Sequence, residues 1–247
     1  CLQEVSRFEP GTSKGADQLQ AFQEFFPDYE AFYGPAYDRS EGVDGKRRQF
    51  GNLVLSRIQV KQAVHHVLPS PPDPENRFML RQASELQLSY QGFSFRLVNT
   101  HLEYFSEKQQ LEQVHRLREF HQLACAMNLN PGIDMPGTPF EQLNPPVEVI
   151  ICGDFNFTPE SESYRQMLAS TPEGIPVLRD AWNVLHPGEV RDPTCGVFDR
   201  KQWGEGPHCR DYYFVSSNLD QRLESIFINL TTRASDHQPV VLQIQER

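Results

Sequence analysis

Two polar side chains follow an apolar run near the middle of the chain. Residues 147–152 are typical of a buried strand and lead directly into Gly153-Asp154-Phe155-Asn156. Residues two apart on an extended backbone point to the same side, so Asp154 and Asn156 should project together from the strand's end. A carboxylate beside a carboxamide can orient one attacking water and accept its proton. An Asx-rich turn after a core strand explains the same residues equally well, because Asp and Asn favour turns.

Polar side chains stand at the ends of four more predicted strands. A lone aspartate or histidine at such a place is more often structural than catalytic. Five such ends in one chain nevertheless indicate a shared polar cleft. The four further groups are Glu4 after the stub 1–3, His101 near the end of 95–102, Asp211 before 212–216, and Asp236 with His237 before 240–242.

Helices are predicted among these strands, including short ones over residues 159–168 and 177–185 and two longer ones. Residues 16–26 carry Leu19, Phe22, Phe25 and Phe26 at helical spacing, so we expect these side chains to lie in the core. The second and longest helix covers residues 107–127.

The start of that long helix carries a capping signal. Ser106 and Gln109 form a capping box that satisfies donors of the first turn. His115 and His121 lie on the helix, and we interpret both as surface or boundary residues rather than ligands. The alternation of strands with helices, together with adjacent hairpins, predicts mixed sheets covered by helices.

Taken in order, the strand-end segments resemble the endonuclease/exonuclease/phosphatase superfamily, whose fold is also called deoxyribonuclease I-like. The resemblance runs essentially from end to end, and its two most specific motifs are Gly-Asp-Phe-Asn and Ser-Asp-His-x-Pro-Val. It implies an α/β fold, a four-layer sandwich with two mixed β-sheets face to face and helices on the outside. The matching segments are Leu2-Gln3-Glu4-Val5, Asn99-Thr100-His101-Leu102, Gly153-Asp154-Phe155-Asn156, Asp211-Tyr212 and Ser235-Asp236-His237-Gln238-Pro239-Val240.

The resemblance also implies a metal and an attacking water. Glu4 would ligate a divalent cation with support from Asp236; Mg²⁺ is expected and Mn²⁺ is the alternative. Asp154 would orient or deprotonate the water, and Asn156 would fix its position or contact the phosphate. An ordinary aspartate has a pKa of about 3.9 and is a weak base at neutral pH, so its surroundings must help.

Two histidines complete the implied site. His237 would donate to the scissile phosphate, and Asp211 would hold that imidazole in the required tautomer and raise its pKa. His101 would be a second donor facing the phosphate, so that substrate contacts come from Asn156, His101 and His237. The chain is thus expected to be a divalent-metal-dependent phosphoester hydrolase of the phosphodiesterase or nuclease type. The alternative is a catalytically silent binding module that keeps the fold.

One departure from the family concerns the first residues. In the family, a strand carrying a metal-site asparagine precedes the Gln-Glu motif, whereas this sequence begins at the motif. Residues 1–247 show no Gly/Ser linker, internal repeat or long run of like charge. We therefore expect one domain of this type that is N-terminally incomplete.

Composition restricts the substrate. The chain has 33 acidic and 23 basic residues, a formal net charge of −10, and one compact basic run, residues 46–48. Sequence-independent binding of duplex DNA usually relies on Lys and Arg that neutralise phosphates. A small or single-stranded phosphoester is therefore favoured over duplex DNA, although the basic run could hold a phosphate of a smaller substrate.

Cysteines and hydropathy suggest where the protein works. The five cysteines are odd in number and lack metal-type spacing, which favours reduced thiols and a cytoplasmic location. A Cys195–Cys209 pair remains open. No apolar run approaches the length of a transmembrane helix.

Overall fold

The computed structural model describes residues 1–245, in which eleven strands are interspersed with four α-helices. The strands are β1 (Leu2–Arg7), β2 (Glu30–Arg39), β3 (Arg48–Ser56), β4 (Gln59–Val67), β5 (Gln82–Tyr90), β6 (Phe93–His101), β7 (Val149–Asp154), β8 (Leu178–Asp180), β9 (Asp211–Ser216), β10 (Leu223–Ile228) and β11 (Val240–Ile244). The helices are α1 (Gln18–Phe25), α2 (Glu107–Leu129), α3 (Glu162–Met167) and α4 (Ala181–Leu185).

The strands form one large and two small sheets. The large sheet has the order β4-β5-β6-β7-β9-β8, with β6 parallel to β7 and the other neighbours antiparallel. The small sheets, β1-β3-β2 and β10-β11, are antiparallel. The predicted α/β sandwich is confirmed. Two mixed sheets were expected, whereas within residues 1–245 only the large sheet is mixed. Its parallel pair arises because α2 carries the chain from β6 across to β7.

Strand β7 is buried on both faces, which explains its unbroken apolar run. Its successive side chains enter different cores. Ile151 belongs to a cluster with Leu117 of α2 on the face that the helices cover. Ile150 belongs to a second cluster with Val54 of β3 and Ile226 of β10, between the large sheet and the small ones. The central strand of the site is therefore held from both sides.

Helix α1 differs from the expectation. It begins at Gln18, where Asp17 caps it, but none of its residues is buried and Phe25 is 80% exposed. Phe26 packs edge-on against Tyr29, with ring centroids 5.6 Å apart. The prediction that these aromatic side chains belong to the core was wrong for Phe25 and Phe26. Periodicity identifies an apolar stripe but does not reveal whether another element covers it.

Helix α2 begins at Glu107 as predicted, and the Ser106 hydroxyl accepts from the Gln109 N–H at 3.2 Å. The other half of the predicted capping box is not formed, because the Gln109 side chain donates to the Pro71 carbonyl. One of its histidines was misplaced by the sequence reasoning, because His121 is buried. Arg96 donates to its Nδ1 at 2.9 Å, so its Nε2–H donates to the Pro176 carbonyl at 2.8 Å. A guanidinium has no acceptor to offer, so these contacts require a neutral imidazole. Burial first, with the Arg96 charge assisting, lowers the pKa of His121 to about 4.

We predict that protonation of His121 destabilises the fold at acidic pH. Its pKa is lower in the folded than in the unfolded protein, so its stabilisation is complete above pH 6.5 and disappears as pH falls towards 4. Between pH 7 and pH 4, the free energy of unfolding should therefore fall by about 3 kcal/mol less in the His121→Asn variant than in the wild type. Denaturant unfolding at both pH values measures this. His115→Asn is the matched control, since His115 is 47% exposed on the same helix. Equal losses in wild type and His121→Asn would contradict the prediction.

Candidate active site

All seven residues singled out in the sequence line one cleft of about 730 Å³. They come from β1 of one small sheet, from the large sheet or residues next to it, and from the segment before β11. The seven are Glu4, His101, Asp154, Asn156, Asp211, Asp236 and His237.

Sheet register brings three of them together. The parallel strands β6 and β7 end side by side at the paired residues His101 and Asp154. Strand β9 runs antiparallel to β7 and begins at Asp211, which is paired with Asp154. The three side chains therefore meet at one edge of the large sheet, where the strands no longer need to bury apolar surface.

The segment after β7 is both an Asx turn and part of the polar cleft, the two interpretations that its sequence allowed. At Gly153, φ is +140°, and a Cβ there would lie 1.9 Å from the Thr100 carbonyl oxygen, so only glycine fits. Asp154 Oδ1 accepts from the Asn156 N–H at 2.9 Å, which closes an Asx turn. Asn156 has φ of +55°, and its Nδ2 donates to the Leu102 carbonyl at 3.0 Å. Both side chains still line the cleft, so the turn and the polar site are the same structure.

Asp211 and His237 form a pair. Nδ1 of His237 lies 2.8 Å from Asp211 Oδ2, and its Nε2 lies 3.8 Å from Asp154 Oδ2. Burial alone would lower the pKa of His237, but the hydrogen bond and charge of Asp211, with the charge of Asp154, raise it to about 10. At neutral pH the imidazole is therefore a cation whose Nε2–H faces the cleft.

Asp154 is an unusual carboxylate. Burial, followed by the charge of Asp211, raises the pKa of Asp154 to about 7. His101 lies opposite, with its Nε2 3.5 Å from Asp154 Oδ2. Burial, with the charges of Arg81 and His237, holds the pKa of His101 well below its ordinary value, so this imidazole is neutral. The cleft thus holds one charged and one neutral histidine around a carboxylate that titrates near neutrality.

Glu4 and Asp236 occupy the more open side of the cleft. Glu4 sits at a bulge in the β1–β3 ladder with φ of +59°, and its side chain is 65% exposed. Desolvation and the negative charge of Asp236 raise the pKa of Glu4. Asp236 accepts from Gln202 Nε2 at 3.1 Å. Both side chains offer hard oxygen donors, which Mg²⁺ prefers.

A second group of candidate ligands lies next to these carboxylates. Asp154, Asp211 and His237 each place one ligand atom within 4.8 Å of the others. This trio shares no member with Glu4 and Asp236. The donor atoms of the cleft therefore fit a divalent cation, while the ligand pair taken from the sequence stays a prediction.

Arg81 lines the cleft and was absent from the predicted set. It is 5% exposed, and its Nε lies 3.4 Å from Glu103 Oε2. Its Nη1 is buried and has no hydrogen-bond partner among residues 1–245. A buried guanidinium with a free donor is costly unless an anion or water completes it. No motif marks this residue in the sequence.

Thr194 is a second residue that the sequence did not reveal. Its fully buried hydroxyl oxygen accepts from the backbone N–H groups of Arg210 at 2.9 Å and Asp211 at 3.1 Å. Its carbonyl accepts from the Gln238 N–H at 2.6 Å. One residue therefore ties the start of β9 to the segment that carries His237, and sets the spacing of the Asp211–His237 pair.

Removing this hydroxyl should disturb the pair. Thr194→Val keeps the shape but leaves two buried N–H donors without an acceptor, at a cost of about 1–3 kcal/mol each. We expect a lower melting temperature and a fall in kcat, with Thr194→Ser restoring both. Thermal unfolding and steady-state kinetics of the two variants test this. A Thr194→Ser protein as impaired as Thr194→Val would exclude the hydroxyl as the cause.

The basic run 46–48 does not face the cleft. Arg47 pairs with Asp38 at 2.7 Å, and Arg48 pairs with Glu9 at 3.0 Å. The Lys46 ammonium lies 4.3 Å from the centre of the Phe8 ring. These charges have partners within the protein, and none of the three residues lines the cleft.

Two further predictions concern a disulfide bond and a transmembrane helix. All five cysteines are free thiols, so the open Cys195–Cys209 alternative is not formed. Across residues 1–245, no helix combines the length and the apolar character needed to cross a bilayer.

Comparisons with known proteins agree with this architecture. The model of the Endonuclease/Exonuclease/phosphatase family matches residues 1–237. No curated protein matches the chain. Similar solved structures include an endonuclease/exonuclease/phosphatase from Bacteroides vulgatus, with 19% identity, a TM-score of 0.62, and coverage of 92% of this chain and 80% of the other.

Two further structures carry more specific names. The mannosyl-6-phosphatase of Bacteroides thetaiotaomicron is 19% identical, with a TM-score of 0.59 over 92% of this chain and 80% of that one. The 3′ phosphatase NExo from Neisseria, bound to a product DNA hairpin, is 14% identical, with a TM-score of 0.55 over 92% and 82%. At these identities the likeness establishes a common fold.

Proposed function

The chain belongs to the endonuclease/exonuclease/phosphatase family, and from this premise we propose that it is a divalent-metal-dependent phosphoester hydrolase of the phosphodiesterase or nuclease type. The observation that carries the proposal is the meeting of Asp154, Asp211 and His237, with a 2.8 Å contact from His237 to Asp211 and a 3.8 Å separation from Asp154. We also propose that residues 1–247 belong to one domain of this family. The free thiols support a cytoplasmic location.

The cation is assigned to the carboxylates on the open side of the cleft. Glu4 and Asp236 would hold it as Mg²⁺ or Mn²⁺, since both offer oxygen, and desolvation, followed by the negative charge of Asp236, raises the pKa of Glu4. When bound, the metal supplies neutralisation of the charge on the phosphoryl oxygens. The remaining chemistry belongs to the side chains.

Asp154 takes the role of base. A pKa of about 7 makes its carboxylate a far better proton acceptor than an ordinary aspartate, while leaving much of it ionised at neutral pH. Asn156 stands two residues on, where it orients the water or contacts the phosphate. As the water oxygen forms its bond to phosphorus, its proton passes to Asp154. The ester P–O bond breaks, its electron pair stays on the leaving oxygen, and that oxygen takes a proton from solvent.

The histidines and Arg81 receive the phosphate. His237 is held as a cation by Asp211, so its Nε2–H donates to a phosphoryl oxygen in the cleft. Neutral His101 supplies a second contact. The free Nη1 of Arg81 offers positive charge to the same oxygens. Donors fixed in advance stabilise developing charge without reorganising.

A panel of substrates tests the function. Purified full-length protein should hydrolyse p-nitrophenyl phosphodiesters or monoesters with Mg²⁺ or Mn²⁺, and EDTA should abolish the turnover. If the protein binds phosphoesters of the panel but hydrolyses none of them, it is the catalytically silent binding module rather than an enzyme. The expected substrate is small or single-stranded rather than duplex DNA, because the net charge is −10 and the basic run is paired within the protein.

A further inference from the structure

Four aromatic residues line the cleft, and we call them the aromatic rim: Phe78, Tyr104, Phe105 and Trp203. Phe78 is 49% exposed, and Tyr104 and Phe105 are each 41% exposed. Single exposed aromatic residues need no explanation, but three around one cleft mark a binding surface. We propose that the aromatic rim is a stacking subsite for an unpaired nucleobase, so that the substrate is single-stranded nucleic acid or a nucleotide. This inference rests on the proposed function.

Ring contacts connect the rim to the reacting groups. The Tyr104 ring meets Phe105 edge-on with centroids 4.8 Å apart, and it meets Trp203 at 6.1 Å. Trp203 in turn lies 5.8 Å from the imidazole of His237. The Tyr104 and His237 rings are thus separated by one indole, and a base attached near a phosphate at His237 reaches the rim.

Trp203 adds an independent indication of a ligand. The side chain is 5% exposed and lines the cleft, yet its indole N–H has no partner among residues 1–245. A buried donor without an acceptor is costly. The unpartnered N–H belongs to a residue that lines the cleft, as does the unpartnered Nη1 of Arg81.

Cations accompany the rings. The guanidinium of Arg77 lies 4.1 Å from the centre of the Phe105 ring, and that of Arg210 lies 5.1 Å from both the Tyr104 and Trp203 rings. Arg210 is fixed by donating to the Asn156 carbonyl at 2.8 Å. Positive charge beside aromatic faces is the combination that binds single strands, where the backbone meets cations and the bases stack on rings.

The arrangement favours an unpaired base over other groups. In a duplex both faces of a base are covered by its neighbours, so no face remains for Phe78, which has no ring partner within residues 1–245. A sugar or inositol phosphate offers hydroxyl groups rather than a planar face, and an acyl chain gains nothing from the adjacent arginines. Base–aromatic stacking contributes about 1–3 kcal/mol per base.

Binding in EDTA tests the rim separately from catalysis. The probes are a fluorescein-labelled oligothymidylate and an oligomer of equal length whose bases are absent, measured by fluorescence anisotropy. The wild type should bind the base-bearing strand at least about tenfold more tightly. A Phe78→Leu/Phe105→Leu double variant keeps the apolar bulk but should lose most of that preference. Phe25→Leu, a change at an exposed phenylalanine on α1 outside the cleft, is the matched control and should retain it.

Several outcomes would overturn the subsite. These are equal binding of the two strands, an undiminished preference in the double variant, tighter binding of a duplex of the same sequence, or no binding of either strand. Each can occur while phosphoester turnover persists, in which case the proposed function stands without the rim. If the wild type hydrolyses no phosphoester but still prefers the base-bearing strand, the proposed hydrolase function is wrong and the cleft only binds nucleic acid.

Discussion

Asp154→Asn should lower kcat by about 10³-fold at pH 8, since a positioned general base contributes about 10²–10⁴-fold. The asparagine oxygen can still accept from the Asn156 N–H, as Asp154 Oδ1 does at 2.9 Å, so the Asx turn and the cleft remain. What disappears is the group that takes the proton from water. Steady-state kinetics with the preferred phosphoester measure the loss.

The same substitution should stabilise the fold above neutral pH. The pKa of Asp154 is raised to about 7 in the folded protein, so the folded state holds a proton that the unfolded state has already released. That stabilisation is present at acidic pH and is lost as pH rises through 7. At pH 8 the wild type carries a buried charge that the variant lacks, and the variant should melt at a higher temperature.

Asp28→Asn is the control for both measurements. Asp28 is exposed and lies outside the cleft, so its neutralisation should change neither kcat nor the melting temperature appreciably. If kcat of Asp154→Asn stays within a few-fold of the wild-type value, Asp154 is not the general base. A lower melting temperature at pH 8 would show that the carboxylate stabilises the turn rather than straining it.

The strand-end residues could be placed from sequence because local pattern and sheet geometry act together there. An apolar run that stops at a polar residue marks where a strand leaves the core. The register of β6, β7 and β9 then puts His101, Asp154 and Asp211 side by side. The α2 cap was equally accessible, since Ser106 and Gln109 are three residues apart. Their roles, by contrast, came from the family resemblance.

Other features depend on partners distant in the chain. Arg81 meets Glu103 from another segment, and Thr194 reaches backbone groups 16 and 17 residues away. His121 lies in a polar-looking helix, and its burial follows from Arg96 of β6. Phe25 shows the converse, an apolar residue that no element covers. Periodicity specifies which side chains share a face, whereas tertiary packing decides what that face meets.

Asp211→Asn should have the second large effect, a fall in kcat of about 10²–10⁴-fold, as expected when an imidazole loses its orienting carboxylate. Asp211 holds Nδ1 of His237 at 2.8 Å and, against the opposing effect of burial, raises the pKa of His237 to about 10. An asparagine can keep a hydrogen bond but supplies no charge. The imidazole would then lose its proton at lower pH and cease to donate to the phosphate.

The pH profile separates this cause from a general loss of structure. In the wild type, kcat/KM should rise as Asp154 ionises near pH 7 and fall as His237 deprotonates near pH 10. In Asp211→Asn the alkaline limb should move to lower pH, because the charge that retained the proton is gone. Asp220→Asn is the control, since Asp220 pairs with Arg179 at 3.2 Å and lies outside the cleft. An alkaline limb that stays in place in Asp211→Asn would mean that Asp211 does not govern the protonation of His237.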